Sequence, residues 1–250
     1  MRYYGVAMTT APPSSGVFAA AGPPPVAVLD ADAGLREVVG ERADRARNAS
    51  LAGVLMLRTG TWYASEHAEL ARGGFGLLVL DGVLLRRVGV EGGFGAELLA
   101  QGDLLRPWQH DGEEGVIPFE TTWRVVVATR VAILDLRWAA RMAPFPEVAG
   151  ELAGRCLERS LRLAAIMAIV QQPRLDQRLW LLFWELADRY GKVHRDGVHI
   201  DLPLTHEVIS HLAAARRPSV SAALSRLSAR GVLRREGRHW VVTGDAPSVA

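Results

Sequence analysis

The chain has 250 residues, 49% of them hydrophobic and 22% charged, values of ordinary globular proteins that exclude wholesale disorder. Its one cysteine, Cys156, excludes a disulfide framework and any cysteine-built zinc or iron–sulfur centre, and suits a reducing compartment. No apolar run approaches the ~20 residues of a membrane helix and no basic stretch leads into a clean apolar signal core, so a cytoplasmic protein without a membrane partner is expected.

The formal net charge of +2 is unevenly spread. Residues 172–250 carry twelve Lys/Arg against eight Asp/Glu, and the stretch Thr205–Trp240 has seven arginines against Glu207 and Glu236 alone. A basic end on a mildly acidic body fits an anionic partner or, more simply, a solvated arginine face.

Residues 1–25, rich in Pro, Ala, Gly and Ser and ending in Gly22-Pro-Pro-Pro25, have little to bury and read as a disordered leader. From Val26 to about Pro146, short apolar runs alternate with turn chemistry. The runs are Phe75–Leu80, Val83–Leu85, Trp123–Ala128 and Val131–Leu134; the turns include Asp81-Gly82, Glu91-Gly92-Gly93, Gln101-Gly102-Asp103 and Asp111-Gly112. Such spacing predicts an antiparallel barrel or sandwich. Gly73-Gly-Phe-Gly76 recurs as Gly92-Gly-Phe-Gly95, and with no helix and lysine following, both read as hairpin turns rather than a phosphate cradle.

The period then becomes helical over residues 147–172. Leu152, Cys156, Arg159 and Leu163 share one stripe; Leu157, Leu161, Ala164, Ala165 and Ala168 share another. A helix apolar on two sides must be covered twice, by the barrel and by the same helix of a second chain, unless it is simply a buried core helix. Gln172-Pro173 closes it. Leu179–Leu186 is a further helix ending near Gly191, and Val198–Leu202 alternates like a short strand.

The most informative residues lie between Leu204 and Gly244. Thr205 is a good N-cap for a helix with Val208, Ile209 and Leu212 inside. After Ala213-Ala-Ala215, a second helix opens at Arg216-Arg217-Pro218, with Val220, Leu224 and Leu227 inside. Arg217, Ser219, Ser221, Ala222 and Arg226 then face outward, and residues 232–242 form two strands around Glu236-Gly237. Tandem short helices followed by a hairpin describe a winged helix-turn-helix, with a small helical bundle as the plainer alternative. Its second helix fits the major groove, where arginine pairs bidentately with guanine. Serines and helix N-terminal amides suit phosphates.

Leu204-Thr-His-Glu-Val-Ile-Ser-His-Leu-Ala213, Arg216-Arg-Pro-Ser-Val-Ser-Ala-Ala-Leu-Ser-Arg-Leu227, Gly231-Val-Leu233 and Trp240-Val-Val-Thr-Gly244 resemble the DNA-binding domain of the cyclic-AMP receptor protein/FNR regulators. The resemblance implies an α+β chain: an antiparallel, cyclic-nucleotide-binding-like β-roll over 26–146, a dimerisation helix over 147–172 and a winged helix-turn-helix over 173–250. It implies double-stranded DNA, a second copy of the chain and RNA polymerase as partners, with no cofactor. By position, Arg217 matches the family's leading base-reading arginine, and Arg216, Ser219 and Thr205 match phosphate-contacting positions. Ser221, Ala222, Arg226 and, on the wing, Arg238 complete the candidate DNA-binding set. Pro218 stands where a glutamate is usual and Ala222 where a second base-contacting arginine is usual, so the family's best-known target sequence does not transfer. Ala214 replaces the turn glycine, a strained choice if φ is positive there.

The effector region departs further. Gly102-Asp-Leu-Leu-Arg-Pro-Trp108 lacks the ribose-holding glutamate, and Phe119 in Ile117-Pro-Phe-Glu-Thr-Thr-Trp123 stands near the place of the phosphate-binding arginine, with Glu120 beside it. An acidic side chain opposes phosphate. Cyclic AMP is therefore not the expected effector, and the effector is left open; Arg106 could meet another anion or be a plain surface residue. A roll serving only as a scaffold for a constitutive DNA-binding dimer is the alternative. His206 and His211, five residues apart, do not share a helix face for a metal, and nothing in the spacing of His67, His110 and Cys156 supports haem. A cupin-like enzyme would need a His/Glu cluster on the strands, where only His67 and His110 occur outside the DNA-binding part.

Overall fold

The computed structural model describes residues 23–107, 117 and 119–247. The expected leader, save its last three residues, and the positions Trp108, His110 and Asp111-Gly112 lie outside them. Strand β1 (Val26–Ala27) runs into three short helices, α1 (Val28–Ala31), α2 (Ala33–Val39) and α3 (Ala43–Ala46). Then come β2 (Leu51–Leu57), β3 (Gly60–Trp62), a 3-10 segment (Ala64–Ala71), β4 (Gly76–Val90), β5 (Gly93–Leu99), β6 (Leu104–Leu105) and β7 (Glu120–Leu134). The sheet order is β1-β2-β7-β4-β5, with β3 also on β7 and β6 also on β4, and every pairing is antiparallel.

The roll differs from the sequence reading in several places. The runs on either side of Asp81-Gly82 are one strand, β4, and those on either side of Thr129-Arg130 are one strand, β7. Asp81-Gly82 is a bulge where the β4–β7 register shifts, and Asp81 accepts from the Arg130 guanidinium at 2.6 Å. Gly82, at φ +89°, lies against Thr129, where a Cβ would come within 2.4 Å of the hydroxyl. The short helices of residues 28–46 carry no long amphipathic period, and tertiary packing holds them: Leu29 and Leu35 are fully buried. Glu91-Gly92 is a two-residue hairpin turn with both φ positive, joining β4 to β5. Gly73-Gly74, by contrast, is a loop leading into β4, with Gly74 pressed against the Leu134–Asp135 backbone.

Helix α4 (Leu136–Met142) is capped by Asp135, and its fully buried Trp138 donates to the Ser50 carbonyl at 3.0 Å. Pro146 opens α5 (Pro146–Val170), whose Val148 and Leu152 are buried under the roll. Two ion clusters bind α5 to the roll. Arg155 donates to both oxygens of buried Asp32, at 2.6 and 2.9 Å. Arg159 forks onto buried Glu97, which Arg86 also reaches at 2.5 Å. Cys156, on the same stripe as Leu152 and Arg159, is exposed.

Burial alone would raise the Asp32 carboxyl, but the Arg155 hydrogen bonds and the Leu35 amide outweigh it and hold the group below the usual carboxylate value. A depressed folded value stabilises the fold above the unfolded value of ~3.9 and is lost as pH falls through the folded one. Asp32→Asn is therefore expected to flatten the acid limb of the stability–pH curve below about pH 4, measured by denaturant unfolding; an unchanged limb would refute this.

Helix α6 (Leu175–Tyr190) leads to β8 (Gly191–His194) and β9 (Gly197–Ile200), then α7 (His206–Leu212), α8 (Arg217–Ala229), β10 (Leu233–Glu236) and β11 (His239–Val242). The second sheet is ordered β10-β11-β9-β8. One apolar core joins α6, α7, α8 and the wing to Val83, Leu85 and Leu98 of the roll. Within it the Phe183 and Trp240 rings pack tilted against each other, 5.0 Å between centroids, and the Trp240 indole donates to the Leu204 carbonyl. No helix among the described residues is long and apolar enough to cross a membrane.

Candidate nucleic-acid interface

The interface is built on α7 and α8. Thr205 caps α7, its hydroxyl accepting from the Val208 amide at 3.2 Å. Val208, Ile209 and Leu212 are buried, as are Val220, Leu224 and Leu227 of α8, as their spacing predicts. The turn between the helices is closed by the Ala215 amide on the Ser210 carbonyl (3.0 Å) and the Ala214 amide on the His211 carbonyl (3.2 Å). This bond pattern requires a left-handed residue, and Ala214 supplies it at φ +46°. An alanine there costs ~1–2 kcal/mol of backbone strain. Ala214→Gly is expected to raise stability by up to about 1 kcal/mol, after glycine's own entropic cost; a lowered melting temperature would show that the methyl group's packing outweighs the strain.

Pro218 stands in the first turn of α8, where its missing N–H costs nothing. Thr205, Arg216, Arg217, Ser219, Ala222 and Arg226 are exposed, and Arg238 projects from the turn between β10 and β11. Arg216, Arg217, Arg235 and Arg238 have no ion pair among the described residues. Two candidates are already engaged. Arg226 forks onto Asp176 of α6 at 2.9 and 2.6 Å. Ser221 is half-buried, its hydroxyl 2.8 Å from His206 Nδ1.

His206, which the sequence set aside only as a metal ligand, is part of this packing. It stands between α8 and the wing, 6.3 Å from the Trp240 ring, and burial, with Arg235 and Arg217 nearby, pushes its imidazole below the usual range. Its pairing with Ser221 spans fifteen residues, so no local motif shows it. The other histidines have separate settings. His199 meets Asp196, His239 meets Asp201 at 2.7 Å, and His67 Nδ1 accepts from the Trp62 indole at 3.3 Å. No group of three or more His, Cys, Asp or Glu among the described residues could hold a metal ion.

Arg106, considered for an anion, is exposed and donates to the Gly74 carbonyl at 3.2 Å. The winged part also touches the roll through Arg124 of β7, which reaches Glu207 of α7 at 3.0 Å. Arg189 of α6 binds the Asp103 carboxylate and, at 3.1 Å, the Leu98 carbonyl.

Residues 177–246 match the model of the Crp-like helix-turn-helix domain. A comparison with curated proteins gives no match. Among solved structures the chain is similar to a cyclic nucleotide-binding domain containing protein from Listeria monocytogenes EGD-e, at TM-score 0.62 and 10% identity over 83% of this chain and 97% of that one. It is similar to FixK2 from Bradyrhizobium japonicum, at TM-score 0.57 and 17% identity over 79% and 99%. A CooA mutant from Carboxydothermus hydrogenoformans aligns at TM-score 0.56 and 16% identity over 76% and 83%. The chain thus carries a Crp-like helix-turn-helix domain over residues 177–246, behind a long helix and an antiparallel sheet domain, and shares the fold of these structures.

Proposed function

We propose that the chain is a homodimeric, sequence-specific transcription regulator acting on a pseudo-palindromic DNA site, with an effector other than cyclic AMP. The observation that carries this reading is the exposed cluster of Arg216 and Arg217 at the start of α8, flanked by Arg235 and Arg238 of the wing. These four cations, with the Thr205 hydroxyl and the first-turn amides of α8, suit a phosphate–base–phosphate footprint. Dimerisation is supported by the second stripe of α5. Leu157 and Leu161 are 69% and 73% exposed and continue into Ala164 and Ala168, an apolar seam that a second α5 would cover. The proposed domain limits are those of the sequence reading, with the DNA-binding part over 173–250 and RNA polymerase as a downstream partner.

The effector side of the proposal rests on Glu97. Its buried carboxylate lies where α5 meets the sheet and engages both Arg86 and Arg159, leaving neither guanidinium free to pair with a cyclic phosphate. The same cluster supports a second reading, a roll that binds nothing inside its sheet and serves as a scaffold.

The test is retention of a randomised duplex pool at physiological salt, with sequencing of the bound DNA. An inverted repeat with half-sites about 10 bp apart is expected. Retention without enrichment would overturn sequence specificity, and no retention at low salt would overturn DNA binding.

A further inference from the structure

A cavity of about 550 Å³ lies between the C-terminal half of α5, α6 and the β8–β9 hairpin. Ala165 and Ile169 line it from α5, Leu181 and Trp184 from α6, and Val193 and Val198 from the hairpin. Glu185 and Asp188 of α6 give it an acidic side. Val193 is 86% exposed and Trp184 only half-buried, so apolar surface meets solvent there.

What covers it follows from the seam on α5. Leu157, Leu161, Ala164 and Ala168 recur at intervals of four, three and four, the d-a-d-a spacing of a coiled coil. Two winged domains that read one inverted repeat must lie at the same end of the dimer. The two-fold axis then runs along the seam, and the two α5 helices are parallel. Ala165 holds an e position on one flank of that seam, and Met167 a g position on the other. In a parallel pair the g flank of one helix borders the e flank of its partner. The two-fold also sets equal residue numbers at equal heights, so the partner's Met167 arrives level with Ala165 and Ile169, at the cavity. Its chemistry suits the place: Met167 is 67% exposed in the single chain, and an unbranched thioether fills irregular apolar grooves.

We propose that the partner's Met167 seats in this cavity, so that α5 of each chain grips α6 of the other. The dimer interface thereby extends from the seam onto the winged part, and each DNA-binding part is held by both chains. The inference rests on the reading of the chain as a dimer on an inverted repeat and goes beyond it in assigning this contact. A second copy is the occupant because the cavity is continuous with the seam through Ala165, which is exposed and lines it.

The first test is cross-linking. Cys156→Ser removes the only cysteine, and Met167→Cys and Leu181→Cys are then made in separate chains, mixed and treated with a short thiol cross-linker. A cross-linked dimer is expected from the mixture and not from either variant alone, since the contact joins unlike positions of two chains. The second test is sedimentation equilibrium of Met167→Glu, an exposed substitution that leaves the single chain's fold intact. In the dimer its carboxylate would face Glu185 and Asp188. Self-association should weaken about a hundredfold, roughly tenfold at each of the two symmetric contacts. Met167→Leu, apolar and of similar size, should stay within about threefold of the wild type. No cross-link from the mixture, or a Met167→Glu chain that associates like the wild type, would overturn the contact. The seam is checked separately by Leu161→Cys, which should cross-link to its own copy. A Leu161 cross-link without the one between 167 and 181 rejects the contact and keeps the dimer, whereas a wild-type chain that stays monomeric rejects both.

Discussion

Glu97→Ala is expected to destabilise the protein by about 3–5 kcal/mol, the range for removing one partner of a buried ion cluster. Glu97 is 5% exposed and accepts from two of the Arg159 nitrogens, at 3.0 and 2.6 Å, as well as from Arg86. Its loss leaves two guanidinium groups facing each other under the sheet with no anion between them. Denaturant unfolding reads the effect directly. Replacing Arg86, Glu97 and Arg159 together by methionine should recover most of the loss, because the cost lies in the uncompensated charge rather than in the absent bonds. A loss below about 1 kcal/mol for Glu97→Ala would mean that water compensates the cluster as it does surface pairs.

Arg217→Ala is expected to weaken binding to the selected duplex by about 1–3 kcal/mol per recognition helix and to relax base preference at one position of each half-site. The contrast is Arg226→Ala. Arg226 lies on the same exposed face, but its fork is occupied by Asp176, so a change below threefold is expected. Fluorescence anisotropy on the selected duplex and on single-base variants separates the two. Equal effects would show that Arg226 leaves Asp176 on DNA, and an unchanged preference in Arg217→Ala would remove it from base reading.

The winged part was legible from the sequence because its signals are short in range. Thr205 before an apolar triplet, Pro218 in a first turn, and Glu236-Gly237 between two alternating runs each specify an element within a few residues. The strain at Ala214 was readable for the same reason: a two-helix turn needs a left-handed residue, whatever packs around it. The α5 period was equally plain, but a 3.6-residue stripe does not say how wide a face the roll covers, and Cys156 is exposed although Leu152 of the same stripe is buried.

The roll was legible only in kind. Glycine and aspartate at 81–82 carry turn chemistry, yet the chain runs straight on through a bulge, because β7 pairs with β4 on both sides of it. The helices of residues 28–46 have no amphipathic repeat and exist through the core that Leu29, Leu35 and Trp138 build together. Long-range partners behave alike. Asp176 claims Arg226 from fifty residues away, His206 holds Ser221, and Arg159 meets Glu97 across sixty-two residues.

Local propensity and periodicity thus determined, from the sequence by itself, that this chain ends in a winged helix-turn-helix behind a long helix and an antiparallel sheet domain. They also put Arg217, Ser219, Ala222 and Arg226 of α8 outward, but missed that Ser221 is half-buried against His206. Which of those arginines remain unpaired, where a carboxylate is buried under two guanidiniums, and where an apolar cavity opens between α5 and α6 were decided by the tertiary structure alone. Ion pairs and cavities depend on distances between segments far apart in the chain, which no local pattern encodes.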